Sequence, residues 1–165
     1  MVIRYEDADD RSAVRAVNEQ AFEHPDEADL IEGVRREGAV LLSLVAVERE
    51  QVVGHILFSR MWIDTADQSV AAVALAPVAV LPAHQRRGIG GALIDSGLAH
   101  LRDRGEEIVI VLGHPEYYQR FGFSTERAEG LESPFPRHAY MAMELRGGAL
   151  AGIRGKVRYA AAFGL

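Results

Sequence analysis

A long apolar run that leads through a short polar turn into a cluster of glycines is the strongest constraint on the fold. The apolar run spans Val70–Leu81, and positions 85–93 are Gln-Arg-Arg-Gly-Ile-Gly-Gly-Ala-Leu. Apolar residues then recur at helical spacing, which predicts a helix over Ile89–Arg104. A turn between a strand and a helix presents the unpaired N–H groups of the first helical turn to an anion. This stretch therefore predicts an anion-binding site.

The composition of the turn is typical of a polyphosphate site. Gly88, Gly90 and Gly91 carry no Cβ, so a phosphate can approach the backbone closely. Arg86 and Arg87 add positive charge. Neither the dinucleotide pattern G-x-G-x-x-G nor the P-loop triplet G-K-[ST] fits, because a leucine stands at the third glycine position and no such triplet follows. Taken alone, however, the turn also fits an ordinary surface connection.

The hydrophobic pattern predicts a mixed α/β fold built on one sheet. Leu41–Val47, Val52–Trp62 and Val70–Leu81 are separated by short polar turns, which predicts three antiparallel neighbours. The third run is almost wholly apolar and is expected to be central, with both faces covered. A helix crossover links it to Glu106–Leu112, so those two strands should be parallel. The other predicted elements are strands at Val2–Tyr5, Phe123–Arg127 and Ala139–Leu145, helices at Ser12–Phe22, Pro25–Arg36 and Pro115–Arg120, and a short strand or ordered tail within Lys156–Phe163.

Pro77 interrupts the predicted central strand. Proline cannot donate a hydrogen bond to a sheet, so it favours edge strands and bulges. An edge position conflicts with the apolarity of this run, and we therefore expect a bulge or a parting of strands near Ala76–Val78. Either feature would free backbone N–H groups near Val78 and Val80. A strand that is merely bent is the alternative.

Length and composition limit the classes of protein that the chain can represent. Its 165 residues are expected to form one domain, and a net charge of −6 argues against a nucleic-acid surface. The absence of cysteine excludes disulfides, a cysteine nucleophile and thiolate metal sites, and no metal-ligand spacing such as H-E-x-x-H occurs. We find no secretory signal and no uncharged apolar run of the ~20 residues that a membrane span needs. A cytoplasmic location is therefore expected, with no metal, nucleic acid or membrane as partner.

Two motifs together resemble the GNAT superfamily of N-acetyltransferases, in particular its YhbS-type branch. Gln85–Gly90, which follows the strand residues Val78–Val80, is similar to the coenzyme A motif Q/R-x-x-G-x-G/A of that superfamily. The segment Gly113–Phe123 is similar to a second motif of the branch, which contains Y-x-x-x-G-F. The likeness covers a core up to about residue 145, and the C-terminal extension 146–165 also resembles this branch.

The resemblance implies a GNAT-like fold, in which a mixed, mainly antiparallel sheet is flanked by helices and splayed central strands form a slot for acyl-CoA. It implies direct transfer of an acetyl group from acetyl-CoA to a primary amine, on a small molecule or a peptide, in a ternary complex without a metal. The expected cofactor-binding residues are Val78, Ala79, Val80, Gln85, Arg86, Arg87, Gly88, Ile89, Gly90, Gly91 and Ala92. The expected residues on the side of the amine are Phe22, Glu23, His24 and Glu27. The oligomeric state stays open between a monomer and a homodimer.

Tyr118 is the predicted catalytic residue. By the resemblance it matches the tyrosine of Y-x-x-x-G-F, and a phenol with its ordinary pKa near 10 is protonated at neutral pH and can donate a proton to the departing thiolate. Its neighbour Tyr117 would face another way on a helix. No general base stands out, because His55, His114 and Glu116 are candidates beside the residues on the amine side, and a chain of waters is an alternative.

Two other functions fit the same residues. A GNAT-like domain can bind acyl-CoA as a sensor or partner module without transferring the acyl group. A nucleotide-binding α/β protein is the third hypothesis, and it is disfavoured because the acidic pair Glu106–Glu107 opens a strand, whereas the ribose-binding acid of a dinucleotide fold closes one.

Overall fold

The computed structural model of the protein describes all 165 residues and contains one sheet of eight strands with four α-helices. The strands are β1 (Val2–Tyr5), β2 (Val40–Glu48), β3 (Gln51–Asp64), β4 (Ser69–Val80), β5 (Ile108–Leu112), β6 (Leu131–Glu132), β7 (Tyr140–Glu144) and β8 (Gly155–Arg158). The helices are α1 (Arg11–Phe22), α2 (Asp26–Arg36), α3 (Ile89–Asp103) and the single turn α4 (Pro115–Tyr118).

The sheet is mixed and mainly antiparallel, as predicted. Its main path runs in the order β1-β2-β3-β4-β5-β7, and β4–β5 is the parallel pair on that path. Strand β8 extends the sheet beside the end of β3 and also pairs with the short strand β6. The long apolar run is central, since β4 lies between β3 and β5 and its middle residues are buried.

Helices cover both faces of the sheet, and β3 shows which side chains point to which face. A Cβ added to Gly54 would lie 3.1 Å from side-chain atoms of Ile89 and Leu93 in α3, so this side of the sheet is the α3 face. The side chain of His55, the next residue, instead contacts Asn18 of α1, which defines the α1 face. Side chains alternate between the two faces along a strand. The other residues of β3, and the residues that pair with them in the neighbouring strands, can therefore be assigned to the α3 face or to the α1 face.

Strands β4 and β5 part in the middle of the sheet, as the sequence predicts. They pair only at Val73 with Val109 and at Ala74 with Ile110. Beyond that point Ala76 and Pro77 of β4 oppose the single residue Leu57 of β3, which is a β-bulge. Strand β4 then stays with β3 up to Val80, while β5 stays with β7 up to Leu112, and a slot opens between the two strands.

The predicted strand at Phe123–Arg127 is wrong. Gly122 has a left-handed backbone with φ 105°, which turns the chain away from the strand direction. Only Ser124 reaches the sheet, where it makes an isolated bridge to Ala142, and Glu126–Ala128 forms a 3-10 turn instead. The next strand along the chain is the two-residue β6, which the sequence pattern does not predict.

The C-terminal extension is packed against the rest of the chain. Its strand β8 pairs with β3, and the hydroxyl groups of Tyr159 and Tyr140 lie 2.7 Å apart. The carboxylate of Glu37, at the end of α2, accepts hydrogen bonds of 3.0 and 2.7 Å from the backbone N–H groups of Ala161 and Ala162. None of the helices combines the length and the apolar composition that a membrane span requires.

Candidate active site

The glycine turn leaves a row of backbone donors free at the start of α3. Gly88 precedes the helix with a left-handed backbone, φ 81°, which a residue with a side chain rarely adopts. The N–H groups of the first helical turn, Ile89–Gly91, have no intrahelical partner. The N–H of Ala92 already donates to the carbonyl of Gly88 at 3.0 Å, so the free donors end at Gly91.

A cavity of about 380 Å³ lies directly against these donors. Its wall includes the end of β4, the glycine turn and the segment that follows β5. The lining residues are Val80, His84, Gln85, Arg86, Gly88, Ile89, Gly90, Gly91, Tyr117 and Arg120. Most of the predicted cofactor-binding residues therefore meet around one space.

Tyr117 and Arg120 complete this cavity from across the slot. The hydroxyl of Tyr117 lies 3.2 Å from the position that a Cβ on Gly90 would occupy, so a side chain at this position would crowd Tyr117. The guanidinium of Arg120 lies 4.7 Å from the centre of the Tyr117 ring, within the range of a cation–π contact. Sequence reasoning missed both as cavity residues, although both belong to the Gly113–Phe123 motif, because it assigned only Tyr118 from that motif.

Arg87 is directed elsewhere. Its guanidinium pairs with both carboxylate oxygens of Glu48, at 3.1 and 2.9 Å, and contacts Nδ1 of His84 at 3.0 Å. The hydrogen bonds from Arg87 hold the pKa of the Glu48 carboxyl below its usual range. Of the two arginines of the turn, Arg86 is the one that lines the cavity, and Arg120 is the second cation there.

The edge of β4 presents unpaired backbone groups to the slot. Leu81 donates its N–H to the carbonyl of Val53 at 2.9 Å. Hydrogen-bonded positions alternate along an antiparallel pair, so Ala79 also bonds to β3, whereas the N–H groups of Val78 and Val80 point away from β3. Strand β5 has parted from β4 at this level. The carbonyl of Val80 accepts a hydrogen bond of 3.0 Å from the Gln85 side chain, which ties the turn to the strand.

Tyr118 lies on the opposite wall of the slot. Its ring is buried against Gly113, where a Cβ would collide with the ring, and it makes edge-on contacts with Tyr117 and Phe123 at centroid distances of 5.0 and 5.9 Å. Burial raises the pKa of Tyr118 to about 12. The hydroxyl is therefore protonated across the physiological range and can act as a hydrogen-bond donor.

The sequence matches a model of one enzyme family over most of its length. The family is described as the acetyltransferase (GNAT) domain, and the match spans residues 2–125. The chain belongs to the GNAT family of acetyltransferases. Two Escherichia coli relatives are uncharacterized N-acetyltransferases: YjhQ, 40% identical over 79% of this chain and 74% of its own length, and YhbS, 33% identical over 96% of both chains.

Two solved GNAT structures share the whole fold. The YhbS protein of Escherichia coli in complex with CoA superposes with a TM-score of 0.91 at 32% identity, over 99% of this chain and 92% of that chain. A GNAT family acetyltransferase from Brucella melitensis in complex with acetyl-CoA superposes with a TM-score of 0.83 at 36% identity, over 98% and 97% of the two chains. Both matches include the C-terminal extension, which lies outside the family model.

The side of this GNAT fold predicted to receive the amine is the connection between α1 and α2. Helix α1 ends at Phe22, and Glu23 then reverses the chain with φ 64°. Nδ1 of His24 lies 3.1 Å from a carboxylate oxygen of Glu27, and the ring of His24 lies 6.5 Å from that of Phe22. The four predicted residues therefore form one cluster at the start of α2.

His55 does not have the properties of a general base. It is fully buried on the α1 face, where Asn18 Nδ2 lies 3.2 Å from its Nδ1 and Ser43 Oγ lies 2.9 Å from its Nε2. Ser43 donates its hydroxyl proton to the carboxylate of Glu6 at 2.6 Å, so Ser43 must accept from His55 Nε2–H. Burial, and secondarily the positive charge of Arg35, lowers the pKa of His55 to about 3.

The remaining candidates for a base are exposed. His114 and Glu116 lie at the start of α4 with their side chains in solvent. Nothing in the contacts around them selects either one. No group of three or more histidine, cysteine, aspartate or glutamate residues is placed to hold a metal ion.

Proposed function

We propose that the protein transfers an acetyl group from acetyl-CoA to a primary amine, with both substrates bound at once. The observation that carries the proposal is the slot between β4 and β5, which opens next to the free N–H groups of the glycine turn. The residues present fit the cofactor, because the turn supplies unpaired N–H donors and two arginines, Arg86 and Arg120, line the cavity beside them. Relatives of similar fold were crystallised with CoA and with acetyl-CoA, which supports the assignment.

Each part of the slot has a proposed task. The N–H groups of Gly88–Gly91 bind the pyrophosphate, and Arg86 and Arg120 neutralise its charge. The free N–H groups of Val78 and Val80 bond to the pantetheine amides and to the thioester carbonyl. A donor that is fixed before the reaction stabilises the negative charge that develops on that oxygen.

Tyr118 is proposed to act on the departing sulfur. The amine nitrogen forms a bond to the carbonyl carbon while the carbon–sulfur bond breaks, and the electron pair leaves on sulfur. A phenol with a pKa of about 12 is a weaker acid than a thiol, whose ordinary pKa is about 8.5. Tyr118 therefore stabilises the thiolate by a hydrogen bond, and the proton that the thiol finally carries is the one released by the amine, through water.

The first test is the loss of cofactor binding in Gly90→Asp. The new carboxylate would stand at the proposed pyrophosphate position and repel it. Acetyl-CoA at a hundredfold excess over its dissociation constant should stabilise the wild-type protein by about 2.7 kcal/mol. We expect this stabilisation to vanish in the variant, as measured by thermal unfolding with and without acetyl-CoA.

Gly147→Asp is the matched control. Gly147 has open space around its Cα and lies outside the cavity, so the same change of residue should leave the thermal shift intact. A Gly90→Asp protein that folds and keeps the full shift would show that the phosphate site is misplaced. Release of coenzyme A thiol in the presence of a panel of amines then separates an active transferase from a silent acyl-CoA-binding module.

We further propose that residues 1–165 fold as one unit, located in the cytoplasm where acetyl-CoA is available. Deleting residues 146–165 would remove β8 from the edge of β3 and Tyr159 from Tyr140. We expect the free energy of unfolding to fall by about 3 kcal/mol or more, since a buried contact network is lost. Chemical denaturation measures this loss, and deletion of Leu165 alone is the control. Unchanged stability of the shorter chain would assign the tail to a separate, dispensable segment.

A further inference from the structure

A second cavity, of about 260 Å³, lies between helices α1 and α2. Its floor is apolar and consists of side chains that are buried between the two helices: Val14, Ala28 and Ile31. Its polar lining residues are Arg11, Arg15, Glu32, Arg35 and Arg36. Four arginines and one carboxylate thus meet around one small space, in a chain whose net charge is −6. The cavity shares no residue with the cofactor cavity or with the cluster predicted to receive the amine.

One of the four arginines, Arg15, is explained by ion pairs that join the two helices. Its guanidinium donates to the carboxylates of Glu32 and Asp29, each at 2.9 Å. A carboxylate oxygen of Glu19 lies 3.3 Å away. The single acidic residue of the lining, Glu32, is therefore already engaged, and the charge of the other three arginines is left to be accounted for.

These three arginines keep donors that no protein group accepts. Arg11 and Arg36 line the cavity without forming an ion pair or a side-chain hydrogen bond. Arg35 is largely buried, with its side chain 17% exposed, and it donates through Nη2 to the carboxylate of Glu6 at 2.6 Å. Its Nε and Nη1 groups have no acceptor in the protein. The cavity therefore has free guanidinium donors from both helices.

Helix electrostatics explains two of the three positions but not the third. Arg35 and Arg36 belong to the last turn of α2, where the negative end of the helix dipole favours a cation. Arg11 is instead the first residue of α1, where the positive end of the dipole disfavours a cation. Its position beside two other arginines is unfavourable on both counts, and an anion in the cavity would offset the repulsion.

We propose that this cavity binds a small ligand that carries two negative charges on oxygen, such as a phosphate monoester or a dicarboxylate. Guanidinium groups match the paired oxygens of these anions. Charges of one sign above an apolar floor concentrate the field within a cleft, which favours an anion there. The volume lies below the roughly 300–1,000 Å³ of pockets for drug-sized ligands, so the ligand must be small. This site goes beyond the proposed acetyl transfer and does not depend on it.

The experiment measures anion binding by calorimetry in a buffer free of phosphate and carboxylate. Inorganic phosphate and succinate are the two dianions, and acetate is the monoanion. We expect at least one dianion to bind tenfold or more tightly than acetate, and the tighter of the two identifies the ligand as phosphate-like or dicarboxylate-like. Saturating CoA is added to occupy the glycine turn, and the titrations are repeated without CoA on Gly90→Asp, so that binding at the turn is not mistaken for binding between the helices.

Arg11→Gln and Arg36→Gln should each weaken binding of the preferred dianion about tenfold, because each removes hydrogen bonds to a charged group. Both side chains are exposed, so the variants should fold, and thermal unfolding without anion checks this. Arg11→Lys retains the charge but not the planar fork, and it should cause a smaller loss. Arg102→Gln is the matched control, since Arg102 is an exposed arginine in the last turn of α3, outside the cavity, and its loss should leave the affinity unchanged.

Three results would overturn the proposal. The first is acetate binding as tightly as both dianions, and the second is an equal loss of affinity in Arg11→Gln and in Arg102→Gln, since either would show a response to overall charge alone. The third is dianion binding that disappears with CoA and in Gly90→Asp, because the anion would then occupy the glycine turn. None of these results bears on acetyl transfer, which the release of coenzyme A thiol tests separately.

Discussion

Tyr118→Phe is expected to lower kcat about a hundredfold while the affinity for acetyl-CoA changes little. The ring fills its place against Gly113 and Phe123 in either residue, so packing is retained and only the hydroxyl is lost. Removing one preorganised donor from a developing negative charge costs about a hundred- to a thousandfold in kcat. We expect the lower end of this range, because a thiolate is a fair leaving group without help.

The neighbouring tyrosine provides a matched control. Tyr117 stands beside Tyr118 with its ring nearly perpendicular, at 87°, and its hydroxyl faces Gly90 in the cofactor cavity. Tyr117→Phe should therefore weaken acetyl-CoA binding several-fold and leave kcat nearly unchanged. The measurement is steady-state release of coenzyme A thiol with an accepted amine, together with the dissociation constant of acetyl-CoA for each variant.

The opposite pattern would show that the roles of the two tyrosines are exchanged. An interaction made only in the transition state lowers kcat and kcat/KM together. If Tyr118→Phe instead raises only KM, the hydroxyl contributes to binding alone. If neither variant affects turnover while the chemical step is rate-limiting, water stabilises the departing thiolate.

The features that could be predicted from the sequence are those fixed by local chemistry. Pro77 in an apolar run predicts a break in the sheet, and the bulge at Ala76 and Pro77 lies within the predicted range. The glycine turn predicts a helix that begins at Ile89, and the structure has α3 starting at that residue, directly after Gly88. In both cases the backbone property of one residue type marks the position: proline lacks the N–H donor that a sheet needs, and glycine permits a turn that other residues avoid.

The features that could not be predicted depend on contacts between segments distant in the chain. Arg87 is 39 residues from Glu48 in the chain, and no pattern in the glycine turn predicts that the two side chains form an ion pair. Tyr117 and Arg120 line the cavity at the turn because the chain that follows β5 packs next to the start of α3. The segment Phe123–Arg127, wrongly predicted as a strand, contains β-forming residues, but only Ser124 pairs with a strand, through its isolated bridge to Ala142. Strand propensity is realised only where a neighbour is available.

His55 makes the second large prediction, which concerns stability in acid. The ring is buried between Asn18 and Ser43 and donates through Nε2, and its pKa in the folded protein is about 3, against an ordinary value near 6.5. Between these values the unfolded chain binds a proton that the folded protein excludes. The stability is therefore complete above pH 6.5 and is lost as the pH falls toward 3, by up to about 1.4 kcal/mol per pH unit.

His55→Gln should remove this slope while lowering stability at neutral pH, because the amide cannot reproduce both ring contacts. The measurement is the free energy of unfolding by urea at several pH values between 6.5 and 4.5. Carboxylates with a lowered pKa, such as Asp64 with a pKa of about 2, add to the slope only below about pH 5, where they begin to bind protons in the unfolded chain, so the values above pH 5 report on His55. His138→Gln is the control, since His138 is exposed and should keep the wild-type slope. A slope that survives His55→Gln would come from other titrating groups and would show that the burial of His55 does not control the stability in acid.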